Sequence, residues 1–521
     1  MSKTRKLILF IIAFAVIAAG MTVEFSRRMS ASVGISAGEH DPDAVFSGGI
    51  ARYPEAGNYA WVLFILALVI TGAMAFLVLK SGWREEKLFL AIIIPLGLIY
   101  IFMMAPLAPP DEQVHYQTSY QLSSILSFQG NKAIAEHLDY TGLGGHYNLT
   151  SAYDRVIRDL FAPLNSEEIQ LPYRYDLTYP LMYLPQALGL VIGRLLGGNL
   201  VRLFVIGRLF NLLFYSLCVY WAIRLTPKYR TMFVLAGLMP ISVHQAASFS
   251  YDAFNIGGAM LLLAMVLRAA NGKGKITGRE FCLTVLTGAL LIPAKPTNFP
   301  LLLIYLLIPA ERFGSRKQRW LWLGGAWAAS LAIVFLIQAG GITSAVGTGT
   351  TGTNWEGQQS YTIGYALAHP AETVMIYLKT IKRYASELLF QSVGNVLAGQ
   401  TMPLPLKYIK IYMLLLLACV LPSAGVQENE RWKTRIILLG STALCILLTM
   451  TTMFLSWTSV GQEFIQGLQG RYFTPCVPLV LICLNNRWIR LNFDPRKGVL
   501  TVALIMHMGI IMEVLCKTML I

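Results

Sequence analysis

The chain is a succession of long apolar runs separated by short segments that carry most of its charge. Several runs reach the roughly 20 residues that a helix needs to cross about 30 Å of hydrocarbon. The pattern therefore predicts an all-α polytopic membrane protein. It predicts thirteen transmembrane helices, near residues 7–23, 59–79, 88–108, 199–224, 231–248, 253–270, 281–293, 297–310, 319–339, 406–424, 433–455, 472–487 and 499–519.

Two of these helices are short, and two long stretches lie between helices. The sequence PAKPTN joins 281–293 to 297–310 and predicts a broken hairpin. The first long stretch, 109–198, contains HYQTSYQLSSILSF and SAYDRVIRDLFAPL, whose helical spacing predicts helices lying on the membrane surface. Its segment YPLMYLPQALGLVIGRLLGG is predicted to be interfacial or re-entrant, because a full crossing would move the basic RLTPKYR to the other side. The second long stretch is 340–405.

Composition and charge agree with this topology. Only 13% of the residues are charged, against roughly 25% in a soluble domain, and 55% are hydrophobic. Seven short segments on one predicted side hold 24 of the 42 Lys and Arg residues, which places them and the N-terminus in the cytoplasm and the C-terminus outside. This distribution, rather than the net charge of +15, argues against a nucleic-acid partner. All seven cysteines fall within or beside apolar runs, so no disulfide framework and no metal cluster are predicted.

The sequence LAPPDEQVHY, at the outer end of the third helix, contains the first candidates for chemistry. Asp111 and Glu112 follow two prolines, and His115 comes one helical turn later. A purely structural interpretation is available, since acidic residues after a proline favour a helix N-terminus and His115 can pair with them.

Other ionisable residues are predicted at the same outer face. Such residues are costly beside a membrane span unless they are paired or line a polar cavity. They are Asp252, Lys295, Glu463, Arg471 and Arg208. Each has a structural alternative, because a carboxylate can cap a helix and a lone cation can extend to lipid headgroups. Together, carboxylates and cations at the headgroup level suit transfer of a sugar from a lipid phosphate, since a carboxylate can deprotonate an acceptor hydroxyl and a cation can stabilise the departing phosphate.

Six segments carry a resemblance by their order: APPDEQVHY, YPLMYLPQALGL, RLFVIGRLFNLL, LMPISVHQAASFSYDAFN, AKPTNFPLLL and QGRYFTPCVPLVL. In these segments the chain resembles the bacterial polytopic membrane proteins of domain-of-unknown-function family 2142, which are grouped with the GT-C superfamily of glycosyltransferases. The resemblance covers roughly 88–490, between an N-terminal region, 1–87, and a C-terminal helix, 491–521. It implies a GT-C-like fold and an inverting enzyme that uses a polyprenyl-phosphate sugar. It also implies Asp111 as base and Glu112 as a second candidate or metal ligand. A divalent metal is left open as a cofactor.

The resulting hypothesis is a multi-pass cell-membrane glycosyltransferase with an extracytoplasmic active face. Its partners would be membrane lipid, a polyprenyl-phosphate-linked sugar donor, and a cell-surface glycan, glycolipid or protein acceptor. Two alternatives remain at this point: a transporter or flippase for a polyprenyl-linked lipid, and a non-catalytic scaffold in envelope polysaccharide assembly. A transporter should depend on charges at the bilayer midplane, whereas a transferase should depend on charges at the outer headgroup level.

Overall fold

The computed structural model describes residues 3–36, 53–130, 132–134, 148–162, 168–170, 179–347, 352–353, 357–421, 430–485, 489 and 491–520. These residues are mostly helical. The α-helices are α1 Lys3–Ser36, α2 Pro54–Lys80, α3 Glu85–Met103, α4 Glu112–Leu126, α5 Thr150–Leu160, α6 Leu184–Leu195, α7 Leu200–Leu225, α8 Arg230–Gly237, α9 Pro240–Ala246, α10 Asp252–Asn271, α11 Gly278–Leu291, α12 Arg316–Gly347, α13 Ile363–Ala368, α14 Pro370–Val393, α15 Leu406–Val420, α16 Trp432–Ser456, α17 Val477–Leu484 and α18 Arg496–Thr518.

Short 3-10 helices and strands connect the α-helices. The 3-10 helices are Pro180–Tyr183, Ile292–Ala294, Pro296–Leu307, Ala310–Phe313 and Gly470–Cys476. The strands form three antiparallel pairs, β1 Lys132–Ile134 with β2 Glu168–Gln170, β3 Gly352–Thr353 with β4 Gln359–Ser360, and β5 Val396–Leu397 with β6 Met402–Pro403. Lys132 lies opposite Gln170, Gly352 opposite Ser360, and Val396 opposite Pro403.

Eight helices in the described part of the chain are long and apolar enough to cross a membrane, which confirms a helical multi-pass membrane protein. They are α1, α2, α3, α7, α10, α12, α16 and α18, and each coincides with one of the thirteen predicted helices. The count of thirteen and the direction of insertion stay predictions.

The five other predicted helices are shorter than a span. Proline explains most of the difference, because its ring removes a donor and disfavours the helix interior. The predicted helix 231–248 is divided into α8 and α9 at Pro240. The predicted 297–310 is a 3-10 helix with Pro300 inside it, and 472–487 divides into the 3-10 helix Gly470–Cys476 and α17, with Pro475 in the first part. α11 and α15 contain 14 and 15 residues.

The helices predicted in the first long stretch are present as α4 and α5. α6, in the segment predicted to be interfacial or re-entrant, has 12 residues. At 1.5 Å per residue it is about 18 Å long, too short to cross the hydrocarbon core. The sequence analysis missed α14, a helix of 24 residues in the second long stretch. The Gly- and Thr-rich part of that stretch lies partly outside the described residues.

The core is formed mainly by the long helices. α7 packs against α3, α6 and α10, and α18 packs against α2 and α15. The largest cluster of buried apolar residues extends from Phe25 in α1 to Met519 just after α18. α14 packs against the 3-10 helix Gly470–Cys476, which also contacts α10. The ion pair of Arg471 with Asp252 places the start of that 3-10 helix beside the start of α10.

Candidate functional site

The site begins at the turn between α3 and α4, which a buried ion pair holds in place. Arg208 of α7 donates to Glu112 from Nε (2.8 Å to Oε1) and from Nη2 (2.6 Å to Oε2). The backbone N–H groups of Leu107 and Phe249 donate to the same carboxylate, at 2.8 and 2.9 Å. Glu112 is 0% exposed and Arg208 is 2% exposed. Each carboxylate oxygen therefore accepts two hydrogen bonds inside the protein.

The remaining donors of Arg208 bind the end of α3. Nη1 donates to the carbonyls of Ile101 and Met104, and Nη2 donates to the carbonyl of Ala105. All five N–H groups of the guanidinium thus have acceptors. Arg208 and Glu112 are both predicted site residues, and in this geometry their hydrogen bonds fix the backbone on both sides of the turn.

Asp111 differs from Glu112 although the two are adjacent. It lies at the N-cap of α4 in the left-handed region, with φ 56° and ψ 12°, a conformation that Asp adopts more readily than most residues. Its side chain is 50% exposed and accepts a hydrogen bond from Arg471 Nη2, at 2.5 Å. The turn therefore encloses one carboxylate and presents the other at the surface.

Arg471 links two carboxylates that are far apart in the sequence. It lies near the start of the 3-10 helix Gly470–Cys476, and its Nη1 is 3.6 Å from Asp252 Oδ2, at the first residue of α10. The other oxygen of Asp252 is 3.8 Å from Lys295 Nζ. Lys295 lies between two 3-10 helices, where PAKPTN interrupts the chain. We call Asp111, Arg471, Asp252 and Lys295 the charged cluster.

Two donors of the charged cluster are buried without a hydrogen bond to any described residue. They are Arg471 Nε and Lys295 Nζ. Lys295 Nζ lies 3.9 Å from the centre of the Tyr472 ring, a cation–π contact, in addition to its ion pair with Asp252. Burial lowers the pKa of Lys295 to about 8, against the opposing effect of Asp252. Buried donors in proteins are normally satisfied, so these two indicate capacity for a further acceptor.

His115 lies beside the charged cluster, and no described residue forms an ion pair with it. Its Nδ1 is 3.1 Å from the hydroxyl of Tyr183, and its ring meets that of Tyr251 edge-on, with centroids 5.0 Å apart. Burial lowers the pKa of His115 to about 4, so the imidazole is neutral at pH 7. The suggested pairing of His115 with the adjacent carboxylates is replaced by a hydrogen bond to Tyr183.

Glu463 is not part of the charged cluster. Its carboxylate is 3.3 Å from Lys379 of α14, and the two side chains are 68% and 43% exposed. Of the eight predicted site residues, the structure thus joins four in the charged cluster, places His115 beside them, and pairs Glu112 with Arg208 beneath the turn. Glu463 is the residue that the structure separates from the others.

Residues that sequence reasoning missed surround the charged cluster. Tyr472 contacts Lys295, and Tyr251 precedes Asp252. A small cavity of about 20 Å³ next to Arg471 is lined by residues that include Pro110, His244 and Gln391. Tyr472 and Tyr251 could have been found as immediate sequence neighbours of predicted residues. His244 and Gln391 carry no local signal, because their positions depend on the packing of α9 and α14.

The described residues contain no group of three or more His, Cys, Asp and Glu side chains that could hold a metal ion. The charged cluster itself offers the accessible carboxylate of Asp111, the buried carboxylate of Asp252, and two buried cations with unused donors. Such a set can bind an anionic group and accept a proton beside it.

Comparison with known proteins identifies a family. A family model described as "Predicted membrane protein (DUF2142)" matches residues 94–480, which is most of the chain and contains the whole charged cluster. Comparison with curated proteins and with solved structures gives no significant match.

Proposed function

This chain belongs to the DUF2142 family of predicted membrane proteins, and we propose that it is an inverting glycosyltransferase with a GT-C-like fold. In this proposal it transfers a sugar from a polyprenyl phosphate to a hydroxyl of a cell-envelope acceptor, at the outer face of the cell membrane. The supporting observation is that a half-exposed carboxylate, Asp111, lies against Arg471 while Arg471 Nε and Lys295 Nζ are buried without acceptors. A base beside unused cationic donors is the combination that this reaction needs.

In the proposed reaction Asp111 removes the proton from the acceptor hydroxyl. The hydroxyl oxygen forms a bond to the anomeric carbon, and the bond from that carbon to the phosphate oxygen breaks. The electron pair leaves with the polyprenyl phosphate, whose added negative charge Arg471 and Lys295 stabilise. Asp252 holds both cations in place, at 3.6 and 3.8 Å. Glu112 acts as a positioning residue, because its oxygens are fully used by the protein.

An apolar groove supports a lipid-linked donor rather than a soluble one. It has a volume of about 690 Å³, lies between α11 and α12, and is lined almost entirely by apolar side chains such as Leu286, Trp322 and Ile333. α11 continues through the 3-10 helix Ile292–Ala294 directly to Lys295. If a polyprenyl chain lies in this groove, Lys295, the cation proposed to bind its phosphate, comes just after the end of α11.

The test is release of polyprenyl phosphate from labelled polyprenyl-phosphate sugars by purified protein with a crude envelope acceptor. Asp111→Asn should lower release by at least about a hundredfold, the usual contribution of a general base. Asp159→Asn is the matched control, because Asp159 is also partly exposed and paired with an arginine, Arg155, at 3.2 Å. Full activity of Asp111→Asn would reject Asp111 as the base. Absence of release by folded wild-type protein that binds the lipid would favour a transporter.

A further inference from the structure

A polar cleft of about 650 Å³ lies beside the charged cluster. It is formed between α14 and the segment that joins α16 to Gly470. Gln391 and Gln400 line both this cleft and the small cavity that contains Arg471 and Pro110. These two glutamines therefore lie between the cleft and the residues that adjoin Asp111. Its volume falls within the range of about 300–1,000 Å³ typical of small-molecule sites.

Amide side chains dominate the polar part of the cleft. Its glutamines are Gln358, Gln391, Gln400, Gln462 and Gln466. An amide carries two N–H donors and a carbonyl acceptor without a net charge. Gln391 already accepts from the Gly470 N–H and donates to Glu387, and Gln358 accepts from Ser459. A ligand with many hydroxyl groups, each both a donor and an acceptor, is complementary to such a surface.

Three aromatic side chains contribute to the apolar part of the cleft, beside Leu388, Ile465 and Leu468. Tyr384 and Phe464 meet edge-on with ring centroids 5.8 Å apart, and both line the cleft together with Trp457. Trp457 packs over Gly467, where a Cβ would lie 2.9 Å from the indole. Aromatic faces pack well against the C–H faces of sugar rings, which are apolar, while the hydroxyls at the ring edges remain free for amides.

The charge of the lining disfavours anionic ligands. The lining contains one charged side chain among the described residues, Glu387, and no lysine or arginine. Gln391 donates to Glu387 at 3.1 Å, so this carboxylate already has an amide partner. Glu387 would repel a phosphorylated or uronic-acid ligand, and Arg383, which lies over the ring of Tyr384, is not among the lining residues.

We propose that this cleft binds a neutral oligosaccharide, and that it holds the acceptor glycan with one hydroxyl directed toward Asp111. The binding of an oligosaccharide is inferred from the lining residues alone, whereas the role of the cleft as the acceptor site rests on the proposed transferase function. Amide hydrogen bonds and aromatic packing would select neutral sugars, and the reacting end would lie at the side of the cleft formed by Gln391 and Gln400, toward the charged cluster.

The experiment measures binding of soluble oligosaccharides to the full-length protein in lipid nanodiscs. The probes are a panel of neutral hexose and N-acetylhexosamine oligomers, with uronic-acid oligomers for comparison. At least one neutral oligomer should bind, and Trp457→Ala and Gln466→Ala should each weaken its binding by about threefold to tenfold, as expected for one lost contact. Gln318→Ala, at an exposed glutamine near the start of α12, should leave binding unchanged.

Binding of uronic-acid oligomers alone, or no binding of any neutral oligomer, would overturn the proposal. Binding of a neutral oligomer that neither variant weakens would also overturn it. Because Gln466 is exposed, Gln466→Ala is the deciding variant if Trp457→Ala does not fold. Asp111→Asn should retain oligosaccharide binding while it loses transfer. If the wild type binds oligosaccharide but releases no polyprenyl phosphate, the transferase proposal is rejected and the proposal that the cleft binds oligosaccharide is retained. If it releases polyprenyl phosphate but binds no oligosaccharide, only the proposal for the cleft is rejected.

Discussion

Arg208 and Glu112 form an ion pair in which both charged groups are buried, with Nη2 and Oε2 2.6 Å apart. The two residues are 96 positions apart in the sequence. Leu107 and Asp111, on either side of the two prolines, both have left-handed backbone conformations, with φ of 69° and 56°. Such conformations persist where surrounding contacts fix them. The ion pair supplies those contacts, and the turn in consequence exposes Asp111.

The first prediction concerns the stability of this pair. Arg208→Met or Glu112→Met should each lower the free energy of unfolding by about 3–5 kcal/mol, because each leaves an uncompensated buried charge. The double variant should lose less than the sum of the two. Unfolding in mixed micelles with increasing SDS measures the effect. Arg496→Met removes an exposed pair with Asp494 and should cost less than about 1 kcal/mol. Equal effects at Arg208 and Arg496 would contradict the assigned role of the buried pair.

The second prediction separates the backbone role of Asp111 from its side-chain role. Asp111→Asn should unfold at nearly the same SDS fraction as the wild type, since Asn also tolerates the left-handed region. Asp111→Val should be less stable by about 1–2 kcal/mol, because a β-branched residue at φ 56° is strained. If both variants were equally stable, this turn would be able to relax, and the conformation of Asp111 would not be fixed by its surroundings.

The third prediction is a pH dependence of lipid phosphate binding. Burial lowers the pKa of Lys295 to about 8, so the ammonium is present below that pH and is lost as the pH rises through it. Affinity for a short-chain polyprenyl phosphate should fall by up to about tenfold when the pH is raised from 7 to 9, because the protonated fraction of Lys295 in the free protein falls by about that factor over this range. The phosphate itself changes little in this range, since its second pKa is about 6.

Lys295→Met provides the control for this measurement. The variant should bind the lipid phosphate more weakly at pH 7 and should show a nearly flat profile up to pH 9. Bound phosphate stabilises the ammonium of Lys295 in the complex. The measurement is therefore the affinity as a function of pH, which reports the titration of Lys295 in the free protein. The same decline in both proteins would show that another group titrates.

The fourth prediction concerns the close packing that positions Arg471. A Cβ at Gly470 would lie 2.2 Å from Gln391 Cβ and 2.5 Å from the carbonyl oxygen of Leu388, both in α14. Gly470→Ala should therefore separate the 3-10 helix from α14, move Arg471 and lower transfer. Gly440→Ala, in α16, meets no atom within 4 Å and should be neutral. Full activity of Gly470→Ala would show that this contact does not position Arg471.

Much of the helical arrangement was predictable, because apolar runs long enough to span a membrane are a local property of the chain. The eight long helices were found, together with α4 and α5. The short segments were harder to predict, since proline divides apolar runs at Pro240 and Pro300 in ways that hydropathy does not register. α14 was missed because its apolar residues are interspersed with charge and only a few of them are buried.

The sequence by itself determined a helical membrane protein with a few ionisable residues beside its apolar runs, because burying charge in lipid is costly and such residues are conspicuous. Only the tertiary structure decided which of them meet. Asp111 and Arg471 are 360 positions apart, and Glu112 differs from Asp111 by one position but is enclosed by Arg208. Adjacent carboxylates acquire opposite environments because a turn directs consecutive side chains to different sides, and which side is buried depends on helices from distant parts of the chain.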